Sequence, residues 1–414
     1  MTKGIISQFA DEAAFLWVLR SGAVGAPHFS LRDLMQLDER LEAHIDGLRV
    51  AGEAGWDISK NALDSKYAET IFPMAVMAFE SGDEARIRSV LEAAGNDHKK
   101  ARVLISALGW LPYEQAAPNI EHLLSEKSAF HRYIGIAASA AHRHDPGDHL
   151  DEAACDVHPL LIARALHAYG ELGRSRELDN YMLPDLLTDS DDGIRFAAAW
   201  SASLAGISGA IEVLKDFVVP ESPFSEKALN VVLRRMEQTA ALSWQKQLAH
   251  SPGTIRSATI SAGIIGDVAL VPWIIEQMKT PALARVAGEA FTLITGIDNE
   301  LEEMNGSPPE GFNAGPNDDP KDDNIAMDVD ENLPWPNTEL IADWWDKNKG
   351  NYPGGTRFIL GKPVTVDHLR HILKTGLQRQ RSAAALELAI IQPGRPLFAV
   401  RAPGCRQLSE VGGI

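Results

Sequence analysis

The stretch DDGIRFAAAWSASLAG, residues 191–206, decides how this chain is interpreted. It places one arginine, Arg195, in a helical run made almost wholly of alanine and other small or apolar residues. Such an arginine can perform chemistry, hold a ligand or stabilise the fold. If the arginine recurs at regular intervals along the chain, a structural role is favoured over the other two.

A basic residue in a similar frame recurs at intervals of 29 to 32 residues. Small and apolar residues follow it at helical spacing, and most frames are followed by a second amphipathic stretch. The positions are Arg102, Arg132, Arg164, Arg195, Lys227, Arg256 and Arg285. Two helices in about 30 residues, neither able to bury its apolar face alone, predict an α-solenoid built from stacked helix pairs. A structural role therefore fits the arginines best. We expect the following to brace the next loop or an acidic neighbour: Arg102, Arg132, Arg164, Arg195, Arg256 and Arg285.

The pattern resembles HEAT and HEAT-like repeats, whose second helix commonly opens with an acid, a hydrophobe and an arginine before paired alanines. Asp191, Ile194, Arg195, Ala198 and Ala199 match that frame. The resemblance implies an all-α protein, a right-handed α-solenoid of HEAT-like helical pairs. A C-terminal extension with an irregular acidic insertion completes the predicted architecture.

The repeat pattern also sets the predicted domain boundaries. Residues 1–65 are expected to form an N-terminal helical cap, and residues 66–296 the HEAT-like repeat array. The pattern then gives way to residues 297–337, rich in Asp, Asn, Gly and Pro, which we call the acidic insertion. Residues 338–414 are predicted to form a C-terminal helical module packed on the array.

The net charge and the cysteine count indicate which kind of partner and which cellular compartment to expect. The formal net charge is -18, with 57 acidic against 39 basic residues, and proteins that bind nucleic acid through phosphate contacts need clustered Lys and Arg. Only two cysteines occur, which suggests a reducing compartment. No signal-type start and no run of about 18 apolar residues is found, so a cytoplasmic protein without a membrane partner is expected.

The acidic insertion is the main candidate for partner binding. From Asp298 to Asp346 there are 15 acidic residues against one lysine, whereas 11 basic residues stand against 3 acids from Lys347 onward. The acids can attract a cationic protein, or they can dock on the basic tail and complete the fold. The predicted partner-binding residues are Asp318, Asp319, Asp322, Asp323, Asp328, Asp330 and Glu331.

A calcium loop is a further interpretation of the same segment. Asp328, Asp330, Asn332 and Glu339 occupy the first, third, fifth and twelfth positions of such a loop. Leu333 stands where the loop needs glycine, and prolines stiffen the segment that must turn sharply. We therefore expect no metal and no cofactor, with these four as the only candidate ligands in this segment.

Enzyme signatures are missing from the sequence. No HExxH, CxxC, GxSxG or GxGxxG pattern occurs, and the glycines around Lys362 do not have the spacing of a phosphate loop. A zinc site would need the histidines and the cysteine of HRHDPGDHLDEAACDVH, residues 142–158, at a spacing that matches no established pattern. A non-enzymatic protein is expected.

The chain differs from two HEAT-like enzyme types. Deoxyhypusine hydroxylases hold iron with His-Glu pairs, and no His-Glu dipeptide occurs here. Alkylpurine DNA glycosylases of this architecture bind DNA on a basic face, which the acidic composition disfavours. A HEAT-like nucleic-acid-binding protein or DNA glycosylase stays open only if the repeat arginines are unpaired and line one groove.

Three blocks of the C-terminal part carry a narrower resemblance. They are FNAGPNDDPKDDNIAMDVDENLPWPN (312–337), GTRFILGKP (355–363) and PGRPLFAVRAPGCRQ (393–407). They are similar to signature blocks of a proteobacterial family found among type VI secretion genes. The resemblance implies an immunity protein, or antitoxin, that binds and neutralises a co-encoded effector with a basic surface, for example a nuclease. An adaptor that loads the effector without inhibiting it is the alternative.

Overall fold

The computed structural model describes residues 3–179, 183–298, 302–316 and 326–412. Within these residues the chain forms 22 α-helices, a few 3-10 turns and one two-stranded sheet, which confirms the predicted all-α class. None of the described helices is both long enough and apolar enough to cross a bilayer.

The chain divides into two compact units. The first contains residues 1–210 and 373–414, and the second contains residues 211–372. One boundary falls inside the predicted repeat array and the other inside the predicted C-terminal module, because the last part of the chain packs with the N-terminal helices.

Up to residue 205, the first unit is a succession of helices joined by short turns. They are α1 (Lys3–Ala23), α2 (Leu31–Ala51), α3 (Glu53–Ser59), α4 (Ile71–Ser81), α5 (Glu84–Ala94), α6 (His98–Trp110), α7 (Tyr113–Ser125), α8 (Ala129–Ala141), α9 (Asp148–Ala154), α10 (Pro159–Leu172), α11 (Leu183–Leu186) and α12 (Asp192–Ala205). Helices α4, α6, α8, α10 and α12 each pack against the next in that order, and α5, α7, α9 and α11 pack beside them.

Local sequence explains where the packed helices begin and why they come close. The side chains of Asp97, Ser128 and Asp191 accept hydrogen bonds from amides in the first turns of α6, α8 and α12. Alanines such as Ala138 and Ala198 are fully buried between neighbouring helices, where a larger side chain would force them apart. The arginine frame therefore coincides with the start of α6, α8, α10 and α12, whereas α4 carries no basic residue.

The second unit repeats this arrangement in a shorter form. Its elements are α13 (Ala210–Asp216), α14 (Ser225–Arg235), α15 (Gln238–Leu248), α16 (Ile255–Ile265), α17 (Val271–Gln277), α18 (Pro281–Thr295), α19 (Thr338–Asn348), the antiparallel strands β1 (Phe358–Ile359) and β2 (Lys362–Pro363), and α20 (Val366–Thr375). Helix α14 packs against α16, and α16 packs against α18.

A later segment crosses the C-terminal ends of the packed helices in the second unit. The amide of Phe358 donates to the carbonyl of Gly266 (2.8 Å), just past α16, and the amide of Leu360 donates to the carbonyl of Leu293 (2.7 Å) in α18. Carbonyls at helix ends lack partners within their own helix, so these bonds satisfy them. The conformation of Gly266 is left-handed (φ 70°), which ends α16 where the strand must pass.

In the first unit, the last residues of the chain also bond to carbonyls at the ends of packed helices. This part of the chain contains α21 (Gln378–Ile391) and α22 (Gly404–Gly412). The amide of Leu397 donates to the carbonyl of Glu171 (2.9 Å) near the end of α10. Arg406 donates to the carbonyls of Gly109 and Leu111 (both 3.0 Å) at the end of α6. Two of the three blocks with a family resemblance thus serve as helix-end caps.

We predict that Gly266→Ala destabilises the protein far more than Gly82→Ala. Both glycines end a helix in the left-handed conformation, but a Cβ on Gly266 would lie 2.2 Å from the carbonyl oxygen of Phe358, whereas one on Gly82 has nothing within 4 Å. The free energy of unfolding should fall by about 1 kcal/mol for Gly82→Ala and by about 3 kcal/mol or more for Gly266→Ala. Chemical denaturation measures both, and equal losses would contradict this packing.

Candidate interaction site

The acidic insertion begins and ends at a closed neck. The amide of Gly306 donates to the carbonyl of Trp335 (2.7 Å), and the amide of Asn337 donates to the carbonyl of Met304 (2.8 Å). The side chains of Met304 and Leu333 are buried beside this neck. The two ends of the insertion are therefore fixed to each other.

Two ion pairs fasten the insertion to the repeat helices of the second unit. Arg256, in the first turn of α16, donates two parallel hydrogen bonds to the carboxylate of Asp330, each 2.7 Å long. Arg285, in the second turn of α18, donates to the carboxylate of Asp328. The two helices lie side by side, so the insertion lies across successive repeats.

Charge and burial show that these pairs are firmly made. The hydrogen bonds to Asp330 raise the pKa of the Arg256 guanidinium despite its partial burial. Burial alone would raise the pKa of Asp328, but hydrogen bonds from Arg285 and from the amide of Asp330, together with the positive charges of Arg285 and Arg256, outweigh it and lower that pKa. Only 7% of the Asp330 side chain is exposed. Asp328 is therefore ionised at neutral pH, and Asp330 is held by two hydrogen bonds from Arg256.

Aromatic rings fill the space between the neck and the ion pairs. The guanidinium of Arg285 lies over the indole of Trp335, 5.6 Å from its centroid. Phe312 meets the same indole edge to face at 5.4 Å. An arginine stacked and hydrogen-bonded at once keeps little rotational freedom, so this part of the insertion is held in one conformation.

This anchoring turns neighbouring side chains in opposite directions. Asp328 and Asp330 face the helices, whereas Met327 is 65% exposed and Val329 is 72% exposed. Glu331 is also exposed. The insertion thus presents two apolar side chains and one acid to solvent, and it uses the two flanking aspartates to hold them in place.

The predicted partner-binding residues therefore differ in their environment and accessibility. Asp328 and Asp330 are committed to Arg285 and Arg256, so their carboxylates act inside the protein rather than on a partner. They pair with repeat arginines, not with the basic tail after residue 346. Glu331 stays accessible. The other four predicted residues lie outside the described residues: Asp318, Asp319, Asp322 and Asp323.

Most of the repeat arginines have acidic partners close at hand. Arg132 pairs with Asp156 (2.7 Å), Arg164 pairs with Glu171 on its own helix, and Arg195 pairs with Asp192 and donates to the carbonyl of Asp189 (2.6 Å). Together with Arg256 and Arg285 they form a series whose positive charges are neutralised by carboxylates of the same chain. Arg102 differs, because within the described part of the chain it has no ion pair.

The environment of Glu171 shows how completely a repeat arginine can be neutralised. Burial acts to raise the pKa of Glu171, but Arg164, His167 and Arg143 surround its carboxylate and hold that pKa well below the usual value. The carboxylate is therefore ionised, and it shares its charge with two guanidinium groups. Such a row of paired arginines does not make the basic groove that a HEAT-like DNA-binding protein needs.

The metal-ligand candidates are not brought together. The carboxylates of Asp328 and Asp330 point to arginines, whose positive charge excludes a cation there, and Asn332 and Glu339 are exposed. In the 142–158 region the histidines have separate partners; for example, His142 bonds the carbonyl of Leu108 (2.9 Å). Among the described residues, no cluster of three or more His, Cys, Asp or Glu side chains could hold a metal ion.

Comparison of the chain with known protein families, curated proteins and solved structures finds no match.

We predict that Arg256→Gln destabilises the second unit more than Asp330→Asn does. Arg256→Gln leaves a carboxylate buried without its counter-charge, whereas Asp330→Asn leaves a guanidinium whose side chain is 39% exposed and can be hydrated. The free energy of unfolding should fall by about 2–3 kcal/mol for the first variant and by about 1 kcal/mol for the second.

Urea denaturation of both variants and of Arg256→Gln/Asp330→Asn measures the asymmetry. The double variant should be more stable than Arg256→Gln alone, because the buried charge is gone. Losses that simply add would show that the pair is not coupled.

Proposed function

We propose that this protein is a non-enzymatic protein-binding scaffold whose acidic insertion contacts a basic protein. In its most specific form, it is a cytoplasmic immunity protein that neutralises a co-encoded type VI secretion effector by direct binding. The stacked helix pairs form a right-handed HEAT-like α-solenoid in this proposal. The solenoid serves as the rigid support on which the insertion is displayed.

The observation that carries the proposal is the exposure of Met327 and Val329 on a segment fixed by two arginine–aspartate pairs. Removing large apolar side chains from water is favourable in free energy. The core of a protein interface typically consists of such residues inside a polar rim. Because the segment is already held in one conformation, little entropy is lost when a partner covers it. This arrangement favours a contact site over a merely solvated loop.

The charge of the insertion indicates the kind of partner. Glu331 and the acids of the undescribed stretch 317–325 surround the apolar pair in sequence, so a complementary surface has an apolar depression with lysines or arginines around it. A nuclease cleft has such basic residues because it receives phosphate. Clustered carboxylates can occupy that cleft, and long-range attraction speeds their encounter with it.

We expect Met327→Ser/Val329→Ser to weaken binding to the co-encoded effector by roughly 100-fold while leaving the melting temperature unchanged. Each buried apolar anchor contributes about 1–2 kcal/mol at an interface, and most of each of these two side chains is exposed in the unbound protein. Surface plasmon resonance with purified effector measures the affinity. Val157→Ser/Leu160→Ser is the matched control, since these residues are 85% and 55% exposed in the first unit.

Unchanged affinity in Met327→Ser/Val329→Ser would remove the insertion as the contact site.

Co-expression separates the two roles of a binder: an immunity protein rescues cells from the effector, and an effector-loading adaptor binds it without rescue. The quadruple change of Asp318, Asp319, Asp322 and Asp323 to Asn should slow association at low salt and leave dissociation unaffected.

A further inference from the structure

Helix α1 presents large apolar side chains to solvent. Phe15, Val18 and Leu19 lie on adjacent turns of one side of this helix, and all three are exposed, Phe15 to 61%. We call these three residues the α1 stripe. On its other side α1 packs against α2, α3 and α4. The first element of a stacked array usually has a polar outer face, so an apolar stripe there indicates a contact surface.

A depression opens beside the α1 stripe, between α1 and the first half of α2. Its volume is about 440 Å³, and Leu19, Phe29 and Leu37 form its apolar lining. A cavity of roughly 150 Å³ already accepts a benzene ring, so this depression is large enough for a phenyl side chain. Leu19 belongs to both features. The protruding ring of Phe15 and the depression are therefore about one helical turn apart.

The direction of the two helices determines which charges lie at each end of the stripe. Helices α1 and α2 run antiparallel: Arg20, near the end of α1, donates to Asp38 (2.8 Å), and Phe9, nearer its beginning, lies against Gly47. Arg32, in the first turn of α2, therefore lies near the end of α1.

The charged residues at the two ends of the α1 stripe are opposite in sign. Asp11 and Glu12 precede Phe15 by one turn of α1, whereas Arg32 lies beyond Leu19, at the other end. None of these three charged residues has an ion pair within the described ranges of the chain. Their charges are available to a partner helix that runs in the opposite direction.

We propose that the α1 stripe is the interface of a homodimer, in which α1 of one copy packs antiparallel to α1 of a second copy. A two-fold axis makes every contact of such an interface twice. Phe15 of each copy enters the depression beside Leu19 of the other. Asp11 and Glu12 of each copy face Arg32 of the other.

The self-complementary form of the surface is the reason to choose a second copy as the occupant. One patch supplies both a protruding ring and a depression that can receive it, and it has acids at one end and an arginine at the other. A symmetric interface requires this combination, because each surface must match itself after rotation. The patch lies wholly in the first unit, and the proposal does not depend on the acidic insertion or its partner.

Analytical ultracentrifugation of the full chain at micromolar concentrations tests the dimer. The original protein should form a species of twice the 45.0 kDa mass of one chain. Phe15→Ser should raise the dimer dissociation constant roughly 100-fold, since each dimer loses two apolar anchors. Leu160→Ser, at an exposed position of α10 outside the stripe, is the matched control and should dimerise like the original protein. Both variants should keep the original melting temperature.

Charge reversal tests the antiparallel arrangement. Asp11→Lys/Glu12→Lys and Arg32→Glu should each raise the dissociation constant at least tenfold, because like charges then face each other. An equimolar mixture of these two variants should dimerise about as tightly as the original protein, since opposite charges face each other again at both ends.

Three outcomes would overturn the proposal. A monomeric original protein would assign the α1 stripe to a different protein. Dimers that Phe15→Ser leaves unchanged would place the dimer interface elsewhere, and a mixture of the charge variants that stays monomeric would exclude the antiparallel pairing.

Discussion

A buried or half-buried arginine needs a counter-charge or a set of hydrogen-bond acceptors, and this constraint organises much of the fold. Most of the packed helices carry an arginine near their N-terminal ends; α4 has no basic residue, and α14 has Lys227 at this position. Arg164 and Arg195 each take an acid from their own helix, and Arg132 takes one from the loop before α10, the next packed helix. In the second unit the acids come from a segment far along the chain, which makes Asp328 and Asp330 part of the fold.

This use of acids changes how net charge is interpreted. A strongly acidic insertion on an acidic protein suggests that every carboxylate faces outward to attract a partner. Two of the described aspartates instead face inward, and their apolar neighbours Met327 and Val329 face solvent. The proposed contact with a partner therefore depends on exposed apolar area. Charge acts at longer range, through the remaining acids.

The sequence predicts the helices and the recurring arginine well, because both depend on local spacing that is visible in residues 191–206 and in the matching frames. It does not predict which acid meets which arginine, because the pairing of Arg256 with Asp330 joins positions 74 residues apart. It also leaves the orientation of Met327 and Val329 open. The alternation of apolar and acidic residues in 326–331 indicates that they lie on opposite faces. Which face is buried depends on Arg256 and Arg285, which are distant from this segment in the sequence. For the same reason the sequence does not predict which helices residues 395–407 contact; Arg406 and Gly109, for example, are 297 residues apart.

Hydrogen–deuterium exchange of the acidic insertion tests the account most directly. If the insertion is docked as described, the amides of Gly306, Leu333 and Asn337, which donate to backbone carbonyls, exchange slowly in the original protein. In Arg256→Gln/Arg285→Gln the same amides exchange much faster, while helices α16 and α18 keep their protection. Exchange of residues 326–337 in the original protein at the rate of an unfolded peptide would contradict the claim that these arginines build the insertion into the fold.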